Sequence, residues 1–374
     1  MPDVSEIVPI VNWFTAKLGV PVIIAGPCSA ESEEQVYLTA REISRNRMVK
    51  IFRAGIWKPR TRPNSFEGVG VKGLKWLHRI KDEFGLLTLV EVANPRHVEL
   101  CLKHNIDMLW IGARTTSNPF SVEELARCLN GIDIPVFVKN PTNPDLNLWL
   151  GAIERFCKQG IRRIAAVHRG FYPFEKTALR NIPKWELVID LKRQLHNLSV
   201  ITDPSHIAGN PKYIESISQK ALDLEMDGLM IECHINPSEA LSDAEQQITP
   251  AELSTLLDNL IYRRTSVDSS GSMGQLEQYR EQIDSIDNQM IELLAQRMKI
   301  VDKIGRYKSK NNITILQLRR WEKIIATRTE LGNSIGLGEG FILKLLQLIH
   351  KESIQRQVDI MNKLKLKDKS PEDE

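Results

Sequence analysis

"VIIAGPCSAES", residues 22–32, decides how the first two thirds of the chain is read. A short β-branched apolar run turns at Gly26-Pro27, presents a lone cysteine, Cys28, and leads into the helix-like segment 33–46, the signature of one strand-to-helix unit. Seven runs of the same kind follow: "IFRAGI" (51–56), "LTLVEVA" (87–93), "MLWIGAR" (108–114), "PVFVKN" (135–140), "RIAAVHRG" (163–170), "SVITDPSH" (199–206) and "GLMIECH" (228–234). Eight βα units predict a (β/α)8 barrel. A doubly wound open sheet is the alternative, but the turn after the first run is not the glycine fingerprint that such sheets use for dinucleotides.

Chemically active side chains gather at the C-terminal ends of these runs: Cys28, Lys58, Arg114, Lys139, Arg169, His206 and Glu232, with Arg53, Glu91 and Asp203 just inside them. In a barrel those ends converge on one mouth, where active sites are built. The chain is soluble in character, with 42% hydrophobic and 26% charged residues, and no apolar run approaches the ~20 residues of a membrane span. A formal charge of +3 gives no case for nucleic-acid or polybasic membrane binding. The N-terminus lacks a signal-peptide pattern, so a cytoplasmic location is expected. Five cysteines without repeated spacing then argue against a disulfide framework and against a CxxC zinc module.

Cys28, His206, Glu232 and Asp243 of "ALSDAEQQ" combine a thiol, an imidazole and two carboxylates. That donor set suits Mn, Fe, Co or Zn better than Mg or Ca, with His234 as a competing ligand and a structural cysteine as the bland reading. Arg53, Lys58, Arg60, Arg114, Lys139 and Arg169 would crowd the same mouth, and such like charges need anionic ligands to compensate them. The residues therefore point to a metal-dependent reaction between phosphorylated small molecules.

In their order, "AGPCSAES", "RAGIWKPRT", "IGART", "VKN", "HRG", "TDPSH" and "ALSDAEQQIT" resemble 3-deoxy-D-arabino-heptulosonate 7-phosphate (DAHP) synthases, over about residues 20–262. The resemblance implies condensation of phosphoenolpyruvate with erythrose 4-phosphate. It implies Cys28, His206, Glu232 and Asp243 as metal ligands, and Arg53, Lys58, Arg114, Lys139 and Arg169 around phosphoenolpyruvate. Arg60 and Thr61 of "KPRT" match contacts to the aldose phosphate, and Lys58 or Glu91 is assigned to proton transfer. The related 3-deoxy-D-manno-octulosonate 8-phosphate synthases are the rival, disfavoured by "KPRT". Arg62 and His168 depart from the family pattern.

After residue 262 the texture changes. "RRTSVDSSGSMG" (263–274) reads as a linker, and Leu276, Ile283, Met290 and Ile304 repeat every seven residues beside Tyr279, Ile286, Leu293 and Ile300. Helices are predicted over about 275–310, 316–331 and 338–362, forming an all-α domain (275–362), with 363–374 as a disordered tail. Arg297 and Lys308 fall on one face among apolar residues and call for an anion, unless they snorkel at a core edge. Arg280 points about 100° away from Arg297, a direction suited to a partner chain's pocket.

"YREQIDSIDNQMIELLAQR", "KIGRYK" and "LLQLIHKESIQRQ" resemble the all-helical chorismate mutases. The resemblance implies an intertwined homodimer that converts chorismate to prephenate, with Arg280 (across the dimer), Arg297, Lys308, Arg320, Ser353 and Gln357 as substrate contacts. Lys308 and Gln357 would stabilise charge at the ether oxygen. Gln317 and Trp321 stand where acidic residues are common. The fusion raises two expectations: a bifunctional enzyme with feedback on the barrel by prephenate or chorismate, or a synthase whose helical module chiefly senses ligand and dimerises.

Overall fold

Along each predicted strand, alternate residues face opposite sides, and the computed structural model shows what each side meets. It describes residues 4–15, 17–58, 65–174, 176–263 and 270–367. The eight strands are β1 (Val22–Gly26), β2 (Val49–Arg53), β3 (Leu87–Val92), β4 (Met108–Ile111), β5 (Val136–Lys139), β6 (Ile164–His168), β7 (Ser199–Thr202) and β8 (Gly228–Glu232). They pair in parallel in sequence order, and β8 closes on β1 with Gly26 opposite Glu232. Each strand lies within or overlaps one predicted apolar run, so the barrel expectation holds and the open sheet is excluded.

One side of the strands, with Ile23, Phe52, Val90, Leu109, Val138, Ala166, Val200 and Ile231, packs under the helical layer. The other side fills the barrel with Val22, Ile24, Ile51, Leu89, Met108, Trp110, Phe137, Ala165, Val167, Ile201 and Met230, and Ile10, Trp13 and Leu18 join this interior cluster. The helices start where the sequence supplies caps: Ser32 accepts from Gln35 N, Asn94 from His97 N, and Thr249 and Glu252 form a reciprocal capping box.

The chain divides into two compact units, Met1–Thr265 and Ser266–Glu374. In the second, a long helix (Ser270–Lys310), a middle helix (Leu318–Ser334) and a last helix (Glu339–Lys367) pack the long and middle helices against the last. The long helix begins at Ser270, inside the segment expected as linker, and the last continues to Lys367, inside the expected tail. Extending an existing helix needs no new nucleus, and "KLKLK" is made of good helix formers, so both ends outrun the apolar stripe that located them.

Candidate active sites

The barrel's chemistry is the next inward layer of the same alternation. Two residues beyond Ile51, Leu89, Phe137, Val167, Ile201 and Met230 stand Arg53, Glu91, Lys139, Arg169, Asp203 and Glu232, so the period that builds the core also aims these side chains at the mouth. Of these, Glu91, Lys139 and Arg169 line a cavity of about 130 Å³, together with Lys58, Arg114, Arg180, His206 and Asp243, among others. Trp110 lies beneath two of these cations, with the Arg53 guanidinium 4.7 Å and the Lys139 ammonium 5.8 Å from its ring centre, geometry for cation–π attraction. Gly112 leaves room for Glu91: a Cβ there would stand 2.1 Å from Glu91 Oε1.

Three of the four predicted ligands converge. One donor atom each from Cys28, Glu232 and Asp243 lies within 4.8 Å of the others. Cys28 Sγ is 3.1 Å from Asp243 Oδ2 and 2.9 Å from Lys58 Nζ. His206 shares the cavity wall, but its Nδ1 faces Asp203 Oδ2 at 2.8 Å and lies 3.8 Å from Glu232 Oε1, so it stands beside the trio rather than within it. His234 faces Glu31 instead, at 3.6 Å.

The donor set fits a divalent cation. Glu232 is fully buried and its Oε1 makes no aligned hydrogen bond, although Arg53 Nη1 ion-pairs with it at 3.0 Å. Burial lowers the His206 pKa, which favours the neutral imidazole that ligates metals. Burial, then Glu232, pushes the Cys28 thiol up to about 12, and a bound cation is the kind of charge that ionises such a thiol. Asp243 is held well below the usual carboxylate range: burial opposes this, while His206, Arg180 and Lys58 prevail.

The predicted phosphate-binding cations are placed as follows. Arg53, 1% exposed, donates to Cys28 O at 3.2 Å; burial disfavours its charge, but Glu232, Cys28, Asp203 and Glu91 together raise its pKa. Lys139 pairs with the buried Asp203 at 2.8 Å. Arg169 donates to Asn181 Oδ1 at 2.8 Å, and burial brings its pKa down to about 10, the condition of a cation short of negative partners. Arg114 lines the cavity. Arg60, Thr61 and Arg62 lie outside the described residues. His168 does not enter the cavity: its Nε2 bonds Pro183 O at 2.6 Å and its ring meets Trp185 edge-on.

Sequence reasoning missed Arg180, Asn181, Gln246 and Gln247, all of which touch site residues from loops with no periodicity. Arg180 Nη1 is 3.1 Å from Asp243 Oδ1, and Gln247 Oε1 accepts from Cys28 N at 2.9 Å.

In the helical unit Arg297 Nη1 donates to Ser353 Oγ at 2.7 Å, joining the long and last helices. Gln357 Nε2 donates to Ser353 O at 3.0 Å, and its Oε1 is buried without a partner. Lys308 Nζ donates to Ile315 O at 2.6 Å. Arg297 and Lys308 both act electrostatically on His350, which stacks on Trp321 at 3.9 Å; burial lowers the pKa of all three. Arg320 and Arg280 are exposed, and Arg280 pairs only locally with Glu277 at 3.2 Å among the contacts described. This chain therefore gathers Arg297, Lys308, Ser353 and Gln357, and leaves Arg280 and Arg320 outward.

Comparison with known proteins bears on both units. The DAHP synthetase I family profile matches residues 18–267, and the chorismate mutase type II profile matches residues 279–358. The chain is 33% identical over 226 residues to phospho-2-dehydro-3-deoxyheptonate aldolase of Thermotoga maritima, covering 60% of this chain and 64% of that protein. It is 28% identical over 261 residues to 2-dehydro-3-deoxyphosphooctonate aldolase of Wolinella succinogenes, covering 64% of this chain and 98% of that protein. A crystal structure of the Thermotoga maritima DAHP synthase superposes with TM-score 0.58 at 31% identity, over 63% of this chain and 67% of that one.

Proposed function

Because the chain belongs to the DAHP synthetase I family and carries a chorismate mutase type II domain after it, we propose a bifunctional shikimate-pathway enzyme. The barrel condenses phosphoenolpyruvate with erythrose 4-phosphate to DAHP and phosphate, and the helical unit rearranges chorismate to prephenate. The observation that carries the first half is the convergence of Cys28, Glu232 and Asp243, the last of which lines a cavity with Lys58, Arg114, Lys139 and Arg169.

Cys28, Glu232 and Asp243, with His206 from the same wall, would hold the divalent cation, and the mixed donors suit Mn, Fe, Co or Zn. When bound, such a cation polarises an aldehyde oxygen as a Lewis acid. Arg114, Lys139 and Arg169 bind the carboxylate and phosphate of the enol substrate and orient its C3 toward the aldehyde carbon. Carbon–carbon bond formation leaves positive character at C2, where water adds. Glu91 takes the proton of that water, and the Lys58 ammonium steadies developing charge. The arginines stabilise phosphate as its C–O bond breaks. Arg60 and Thr61 bind the aldose phosphate. The eight-carbon acid named for the Wolinella relative would instead need a five-carbon aldose phosphate, so acceptor choice is a test in itself.

The mutase reaction needs no nucleophile, because the rearrangement is pericyclic. Arg297 binds a carboxylate, and Lys308 and Gln357 stabilise charge at the ether oxygen. Ser353 orients Arg297. The exposed apolar face with Tyr279, Ile283, Ile286, Met290, Leu293 and Ile300 supports a homodimer through this unit, with Arg280 and Arg320 completing the pockets. Prephenate or chorismate bound there would feed back on the barrel; the second reading is a helical unit that chiefly senses ligand.

Phosphate release from phosphoenolpyruvate should require erythrose 4-phosphate, stop with a chelator and return with Mn²⁺. Equal release with a five-carbon aldose phosphate would favour the rival. Feedback predicts that prephenate slows the full chain and leaves a chain ending at residue 265 unaffected; equal responses would remove it. A prephenate-sensitive full chain with no mutase turnover would favour the sensing reading.

A further inference from the structure

Glu232 and Asp243 come from different parts of the barrel mouth, β8 and the loop after it, and two side chains outside the predicted ligand set tie them together. Gln246 Nε2 donates to Glu232 Oε2 at 2.6 Å, while Gln246 Oε1 accepts from Arg180 Nη1. The same Nη1 reaches Asp243 Oδ1 at 3.1 Å. The amide of Gln246 therefore has its donor and acceptor ends assigned from both sides, and each carboxylate has one oxygen occupied. Glu232 Oε1 and Asp243 Oδ2, the oxygens left over, are those that face Arg53 and Cys28 Sγ respectively.

Arg180 itself is held by backbone on both sides. Its N–H donates to Ala208 O at 3.2 Å, and the N–H of the next residue, Asn181, donates to Ile207 O at 3.1 Å. Phe171 and Ile182 exchange two hydrogen bonds of 2.8 Å, and His168 Nε2 bonds Pro183 O at 2.6 Å, so the returning segment is stitched to β6 as well as to the helix after β7. Gly209 has φ +66°, and a Cβ there would stand 2.4 Å from Arg180 Cβ, so the arginine's base packs against bare backbone.

We infer that Arg180 and Gln246 are positioning residues for the cation site, fixing which oxygen of Glu232 and of Asp243 faces the ion. This rests on reading Cys28, Glu232 and Asp243 as that site. Outer partners that orient ligating carboxylates and histidines typically change metal affinity by about 10- to 100-fold when removed. A contact made in one rigid arrangement before the ion arrives lowers the reorganisation that binding requires.

The test is a Co²⁺ titration of the metal-free full-length protein, read as the thiolate-to-cobalt absorption of Cys28 and, independently, by equilibrium dialysis. Wild type should give the band, and Cys28→Ser should not. Gln246→Leu and Arg180→Ala should each raise the Co²⁺ Kd by about 10- to 100-fold and shift the band, with Arg180→Lys recovering part of the affinity. The Arg180 side chain is 44% exposed, so its truncation leaves the core intact and a misfolded variant does not confound the result. Unchanged Kd and band in both variants, against a wild type that binds, would overturn the positioning role alone. A raised KM for a substrate with unchanged Co²⁺ affinity would also overturn it, making Arg180 a substrate contact. A wild type that takes up no Co²⁺ would overturn the cation reading beneath it.

Discussion

Arg53 in the barrel and Arg297 in the long helix are both cations set among apolar neighbours, yet they are held in opposite ways. Arg53 is 1% exposed and meets Glu232 at 3.0 Å over the face of Trp110. Arg297 is exposed and its described partner is the neutral hydroxyl of Ser353. A closed parallel sheet surrounds its inward layer with backbone on every side, so one chain can bury charges provided each finds a counter-charge. A three-helix unit has no such enclosure. Its charges remain partly wet, and large apolar side chains on the long helix, such as Ile283 and Ile286 at 56% exposure each, lack the cover that a second copy would give.

The largest effect should come from breaking the buried pair. Arg53→Met leaves Glu232 without its ion-pair partner in the barrel, and losing one partner of such a pair typically costs about 3–5 kcal/mol. Denaturant unfolding of the barrel should show that loss, and condensation should fall on the order of 10²-fold or more. A change below about 1 kcal/mol would mean the interior is wetter than its burial implies.

The next effect sharpens the contrast through pH. Burial lowers the His168 pKa to about 4, against about 6.5 for an exposed imidazole. Below about 6.5 the unfolded histidine takes up a proton that the buried one refuses until about 4. The barrel should keep this stability above pH 6.5 and lose on the order of 3 kcal/mol of it as pH falls through that window. His168→Asn keeps an N–H for Pro183 O and removes the titration, so the difference between variant and wild type in denaturant midpoint should shrink toward pH 4. A constant difference from pH 7 to 4 would show that His168 is not the source.

The smallest effect on stability should carry a large effect on assembly. Ile286→Lys on the exposed face of the long helix should move unfolding of the barrel by less than about 0.5 kcal/mol, while sedimentation equilibrium shifts toward monomer and mutase activity becomes dependent on protein concentration. A mutase rate unaffected by dilution and by this substitution would show that one chain completes its own pocket.

The barrel was legible because its signals repeat. Eight apolar runs gave eight strands, and the reactive residues at or just inside their C-terminal ends, among them Arg53, Glu91, Lys139, Arg169, Asp203 and Glu232, were legible as residues of one mouth. The meeting of Cys28 with Glu232 was legible, since strands one and eight are neighbours in any closed barrel, and Asp243 joins them from the loop after β8. Arg180 and Gln246 were not, because each reaches the site from a loop whose course is set by backbone pairing to Phe171, Ile207 and Ala208, and no periodic pattern encodes that. His206 was legible as a residue of the mouth but not in its orientation, which Asp203, three residues earlier, decides by facing Nδ1. In the helical unit the seven-residue stripe located the helices and Arg297, whereas the Trp321–His350 stack depends on how the middle and last helices meet.

The most direct measurement is a crossed assay of both reactions on two full-length variants. Cys28→Ser should lose erythrose 4-phosphate-dependent phosphate release while converting chorismate at the wild-type rate, and Arg297→Ala should lose prephenate formation while retaining condensation. If either substitution leaves its own reaction intact, or if both reactions fall together in both variants, the account of two separately built sites on one chain is contradicted.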